Sequence, residues 1–209
     1  MRRVRAPTRI LWRGLLALAG LVAAADPAAA EGATPDWRSI VTVRDQRRLH
    51  RWRDAWVQAL AGARAGGAGA AIANEGALLQ PDAALDDPAA PDGTYRCRVI
   101  KLGTAATAGL AYVAYPDFHC RIGGGRFAKL DGSQRPAGRL LPLDGRRMLF
   151  VGTLQLGDEA YPIAYARDLD RDMIGVLERI GGQRWRLVFP YPRFESLLDV
   201  IELVPASSG

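Results

Sequence analysis

The chain has 209 residues, with 28 lysines and arginines against 22 acids, and only two histidines and two cysteines. Two histidines leave little for a catalytic triad or a histidine-rich metal centre. The formal charge of +6 is a weak basis for nucleic-acid binding, because five arginines and one acid (Asp26) fall in the first thirty residues and their removal leaves +2.

Those thirty residues read as an export signal. Arg2, Arg3, Arg5, Arg9 and Arg13 form a basic n-region, Gly14 to Ala25 is apolar, and Ala28-Ala29-Ala30 offers a small-residue cleavage site. The apolar run is well short of the roughly 20 residues needed to span a bilayer. The pattern predicts a periplasmic or secreted protein with no transmembrane span after cleavage. The residues after Arg2-Arg3 do not continue a twin-arginine pattern, so general secretion is expected. The mature 31–205 region has the length of one structural domain.

Residues 31–85 read as a helical hairpin. Thr42, with Asp45 three residues on, is an approximate capping box that divides a short helix from a long one. Leu49, Trp52, Trp56 and Leu60 recur at helical spacing, and Arg44, Arg47, Arg48 and Arg51 fall on the other face, where solvation is expected. Gly66-Gly67 ends the long helix, and Ala68 to Gln80 reads as a second one, stopped by Pro81. The apolar stripe needs a partner.

Residues 86–92 (DDPAAPD) form a linker, after which the pattern becomes that of strands. Tyr95, Cys97 and Val99 alternate with Arg96, Arg98 and Ile100. Further strands are predicted at Leu110–Tyr115, Phe118–Ile122, Arg126–Leu130, Arg139–Leu143, Arg146–Leu156, Met173–Ile180, Gln183–Phe189 and Leu197–Val204. Asp144-Gly145 and Gly181-Gly182 suit type I′ hairpin turns. Short strands without intervening helices predict an antiparallel meander over 93–205 that closes into a small barrel-like sheet, giving an α+β fold. The helical hairpin is expected to cover an open end or one flank of this sheet, burying Trp52 and Trp56. In an exported chain Cys97 and Cys120 predict one disulfide.

Few residues announce chemistry. Asp168, Asp170 and Asp172 match the start of a calcium loop, but Met173 and Arg179 stand where its glycine and glutamate belong, so an ion-paired turn is expected and no metal. Among Glu178, Glu195, Asp199 and Glu202, paired or solvated acids are expected over an acid/base couple; Asp199 and Glu202, three apart, fall on opposite strand faces. The segment from Lys129 to Arg139 is the most suggestive one. Lys129, Gln134, Arg135 and Arg139 lie between strands, where a loop at a barrel mouth gathers donors for an anion or a partner carboxylate.

WRDAW (52–56), EGALLQPDAAL (75–85), YRCRVIKLG (95–103), FAKLDGSQRPAGRL (127–140) and the run from Arg184 to Pro205 resemble a bacterial exported family known as domain of unknown function 4893. The resemblance implies a single exported domain and brings no catalytic residues with it. A looser, architectural similarity is to calycin-type barrels, which include lipocalins and periplasmic metalloprotease inhibitors. The resulting expectation is a non-catalytic binding or interaction domain of the cell envelope, without a cofactor, whose partner is an envelope protein or a small anionic or lipophilic ligand. The alternatives are an envelope hydrolase using paired carboxylates, such as Glu195 or Glu178, and a carrier of a small lipophilic ligand.

Overall fold

The computed structural model describes residues 36–104, 109 and 111–206; the signal at residues 1–30 lies outside them. Four helices come first: α1 (Trp37–Ile40), α2 (Val43–His50), α3 (Trp52–Ala65) and α4 (Gly69–Asn74), followed by a 3₁₀ turn at Gly76–Leu79. Eight strands come next: β1 (Gly93–Thr104), β2 (Tyr112–Gly123), β3 (Arg126–Lys129), β4 (Gln134–Asp144), β5 (Arg147–Leu156), β6 (Asp172–Gly181), β7 (Arg184–Pro190) and β8 (Ser196–Pro205). Each pairs antiparallel with the next, and β1 also pairs with β8, so the sheet closes into an up-and-down barrel.

Strand alternation sorts the side chains into a lumen and a jacket. Tyr95, Cys97, Phe127, Leu140, Phe150, Leu177, Trp185, Phe189, Ile201 and Leu203 belong to the cluster inside the barrel. Ile100, Leu102, Val188, Leu198 and Val200 face outward under α3 and α4, while Leu149, Val151, Ile174 and Val176 face outward under α1 and α2. The helices therefore cover one flank of the barrel. Ala55, Ala59 and Ala63, all fully buried, give α3 a face low enough to lie close on β1, where Gly103 comes against Ala59.

Three inward glycines make room for the aromatic rings. A Cβ on Gly138 or Gly152 would come within 2.7 Å of the Phe150 ring, and one on Gly175 within 2.8 Å of Phe189. Phe127, Phe150 and Phe189 then meet edge to face, with centroids 5.9 and 5.2 Å apart, and fill the middle of the lumen.

Cys97 and Cys120 are bonded, with Cα atoms 5.9 Å apart. The register places Tyr95 opposite Cys120 and Cys97 opposite Phe118, so the cysteines are diagonal neighbours on β1 and β2, both pointing into the lumen.

Several local expectations are corrected. The segments predicted as strands 110–115 and 118–122 merge from Tyr112 onward into one strand, β2, carried past Pro116-Asp117 by a bulge opposite Arg98–Ile100; Leu110 lies outside the described residues. The hairpin turns after β4 and β6 exist, but Gly145 and Gly182 do not adopt the positive φ of a type I′ turn. Register shifts at Pro142–Asp144 and Arg179–Gly181 supply the local twist instead, and Asp144 fastens the first turn by accepting from the Arg146 amide at 2.9 Å. The two-residue loop with both φ values positive is Gly124-Gly125, between β2 and β3.

The long helix also breaks a second time, at Arg51 (φ −99°, ψ 13°), so that Leu49 packs over β5 and β6 while Trp56 and Leu60 pack with β1, β7 and β8. The second predicted helix stops at Asn74, and Gly76 (φ 56°) turns the chain into the 3₁₀ segment. The arginines of α2 are less solvated than expected. Arg44 pairs with Asp170 at 3.1 Å, and Arg48 pairs with buried Asp45 and donates to the Asp172 carbonyl at 2.7 Å, which ties α2 to one rim of the barrel.

Candidate functional site

At the rim where β1, β3, β5 and β7 end and their partners begin, alternation directs charged side chains inward. Lys101 continues the inward series Tyr95, Cys97 and Val99, and its register partner on β8 is Asp199. Lys129 ends β3 two residues after inward Phe127, and Gln134 begins β4 two residues before Pro136. These four residues line a cavity of about 160 Å³, together with apolar Val99, Leu154, Met173, Phe189 and Ile201. The aromatic stack closes it from below.

The cations inside are held very differently. Lys101 donates to Glu195 Oε2 at 2.6 Å and to Gln134 Oε1 at 3.0 Å. Burial works against its charge, but the carboxylates of Asp199 and Glu195 outweigh burial and hold its pKa above the ordinary lysine value. Lys129, only 5 % exposed, donates to the backbone oxygens of Asp131 (2.6 Å) and Gln134 (3.2 Å), with its ammonium 3.5 Å from the centre of the Phe118 ring. Among the described residues it forms no ion pair. Burial lowers its pKa to about 8, with Arg135 and Lys101 pushing the same way against Asp131.

Asp199 is the buried acid of the site. The Ser196 hydroxyl donates to its Oδ1, yet burial raises its pKa to about 6, against the pull of Lys101. The folded value thus exceeds the ordinary 3.8. The stability linked to this group is complete below about pH 3.8, declines as the pH rises to about 6, and is constant above that. A difference of that size corresponds to about 3 kcal/mol. Asp199→Asn imitates the protonated acid and is expected to flatten this part of the stability curve. Urea midpoints measured in steps across that window check it; a slope identical to wild type would contradict the assignment.

The rim over the cavity is formed by the β7–β8 loop, in which Tyr191 (φ 46°) and Glu195 (φ 70°) adopt left-handed backbone conformations. Arg193 pairs with Asp170 across the opening at 3.2 Å, and Phe194 is exposed.

The four residues expected at a barrel mouth divide by parity. Lys129 and Gln134 meet at the cavity. Arg135 turns outward and donates to the carbonyls of Gly132, Leu156 and Glu159 at 3.0, 2.8 and 2.9 Å. Arg139 is exposed on the outer face, opposite Arg126. Because Gln134 already belongs to a strand, its odd-numbered neighbours face away from the lumen. Lys101 and Asp199 are the members that sequence reading did not assign to the site. The signal was their parity, with Val99 on one strand and with Ile201 and Leu203 on the other.

The other acids have partners. Glu178 pairs with Arg186 at 2.7 Å on the outside of the barrel, and Glu202 takes Arg98 and Arg184 at 3.0 and 2.6 Å. Asp168 accepts from the Asp170 amide (3.0 Å), and Asp170 takes Arg44 and Arg193. Asp172, which also lines the cavity, accepts from the Ala166 amide at Oδ1 (2.8 Å), while its buried Oδ2 has no hydrogen-bond partner among the described residues. Among the described residues no group of three or more His, Cys, Asp or Glu side chains is placed to hold a metal. His119 lies outside, against Asp131 at 2.8 Å.

Fold and site together define a helix-flanked, eight-stranded antiparallel barrel with a small polar cavity at one mouth. A family model described as Domain of unknown function (DUF4893) matches residues 37–203, and the chain belongs to that family. No curated protein and no solved structure matches it. Among the described residues no helix is long and apolar enough to cross a membrane.

Proposed function

We propose that the chain is an exported, non-catalytic binding domain of the cell envelope, and that the cavity takes a small carboxylate with a compact apolar body. The observation that carries this reading is Lys129, a buried ammonium without an acidic partner among the described residues, above an apolar floor. A ligand carboxylate would supply the missing charge, and the Gln134 amide is a second donor beside it. The size fits a ring or a short chain, since a cavity of roughly 150 Å³ holds benzene. It does not fit a long lipid, and the lumen below is filled. The hydrolase reading draws less support: Glu195 and Asp199 both face the Lys101 ammonium, and Glu178 lies outside the barrel.

Calorimetry with benzoate and hexanoate tests the proposal. Binding is expected in wild type and reduced at least about tenfold in Lys129→Met, the loss of one charge-assisted hydrogen bond. Affinity should fall above about pH 8 as Lys129 loses its proton, and rise below about pH 6 as Asp199 becomes neutral. Equal affinity in the variant, or no binding of either acid, would overturn the assignment. Native mass spectrometry of protein recovered from the envelope fraction reads both a retained ligand and the mature start at Glu31; a chain still carrying residues 1–30 would refute export by cleavage.

A further inference from the structure

The helices pack against Tyr112 of β2 and Leu141 and Leu143 of β4, but no helix residue shares a core cluster with the outward residues Arg121, Arg126, Ala128, Ala137 and Arg139. The arginines among these are unlike most of the others. Arg121, Arg126 and Arg139 are all exposed, and among the described residues none of their side chains has an ion pair or hydrogen bond. Elsewhere on the surface Arg38, Arg44, Arg51, Arg53, Arg96 and Arg146 each have a carboxylate. Arg126 and Arg139 are direct register partners, and Arg121, opposite Ala128, is diagonal to Arg126. Like charges set opposite one another across strands are destabilising by themselves. The cluster is therefore a local excess of charge that the folded chain does not neutralise.

Beside it runs a groove between the sheet and the 159–162 loop. Its floor is Ala128, Ala137 and the backbone of Gly123, its wall includes Ala160 and Pro162, and Leu130, 51 % exposed, stands at its end. Small floor residues allow a backbone to approach closely, and concavity favours an inserted chain over a flat lipid surface.

We propose that this flank docks an extended acidic segment of a partner protein, with carboxylates on Arg121, Arg126 and Arg139 and an apolar side chain against Leu130. It is a second surface, on the outer side of the strands whose inner side carries Lys129 and Gln134.

The probe is a fluorescent decapeptide rich in Asp and Glu with one central Leu, measured by anisotropy at two salt concentrations. Wild-type protein is expected to bind it, more weakly at high salt. The triple variant Arg121→Glu/Arg126→Glu/Arg139→Glu should lose at least tenfold in affinity. A control triple reversal at Arg47, Arg64 and Arg167 makes the same change in net charge elsewhere and should leave affinity within about twofold. Equal losses in the two triples would reduce the effect to net charge and overturn the proposal. So would no peptide binding by wild type, or phosphatidylglycerol vesicles that bind the same arginines and displace the peptide. A melting temperature of the first triple at or above that of wild type separates lost docking from lost folding.

Discussion

Arg186→Met is expected to lower the free energy of unfolding by about 3–5 kcal/mol, the range for breaking a buried ion pair from one side. Arg186 and Glu178 are register partners on β7 and β6, facing outward under the helices, with essentially no exposure. The guanidinium also donates to the carbonyls of Ala77, Leu78, Gln80 and Pro81 at 3.1, 3.0, 2.6 and 3.0 Å, and lies 4.9 Å from the Trp56 ring. Those carbonyls close the 3₁₀ turn and the chain leaving it; Ala77 and Gln80 also accept from the amides of Gln80 and Ala83. One side chain thus connects the helical layer to the sheet and satisfies its terminal acceptors.

Methionine keeps much of the volume and none of the donors. Burial already pushes the Glu178 carboxyl upward. Without its partner it will take up a proton, so the loss should be larger at neutral pH and shrink as the pH falls toward the ordinary glutamate value. Adding Glu178→Gln should recover only the charge part, because the carbonyls of Leu78 and Pro81 still lose their donor and those of Ala77 and Gln80 keep only the backbone amides of Gln80 and Ala83. Denaturant titration of the single and double variants measures both steps. A single-variant loss under about 1 kcal/mol, or full recovery in the double variant, would show that the carbonyl contacts contribute little.

The second large effect is expected at the disulfide. Cys97→Ala/Cys120→Ala should lose about 3.5 kcal/mol on the chain-entropy account for a separation of 23 residues. Both sulfurs sit in the lumen cluster with Tyr95 and Trp185, away from the polar cavity. The loss should therefore appear as a lower guanidinium midpoint with carboxylate binding per folded molecule unchanged. Identical midpoints with and without reductant would contradict a stabilising bond.

The period-two pattern made the sheet legible almost strand by strand, because lumen and jacket each demand apolar side chains at fixed parity. Closure was less visible, since the pairing of β1 with β8 joins residues about a hundred positions apart. The turns misled for a local reason. Asp144-Gly145 and Gly181-Gly182 have the composition of type I′ turns, but adjacent bulges supply the twist, and Gly124-Gly125 carries the left-handed geometry. At the cavity, Lys129 and Gln134 were legible as a polar stretch between strands. Lys101 and Asp199 were not, because a lone charge in an apolar strand acquires its role only when closure sets a second charge opposite it. The three glycines that admit the phenyl rings were equally silent, each being explained by a residue on another strand or at another position of its own.

The aromatic stack has a consequence for kinetics. A barrel blocked at mid-height is a cul-de-sac, and whatever enters must leave by the same portal, under the loop that carries Tyr191, Arg193 and Glu195. Residence time in such a vessel is governed by the portal together with the charged contacts inside. Substitutions at Tyr191 or Arg193 should therefore change entrance and exit rates together and leave the equilibrium nearly untouched, while substitutions at Lys129 should act chiefly on exit.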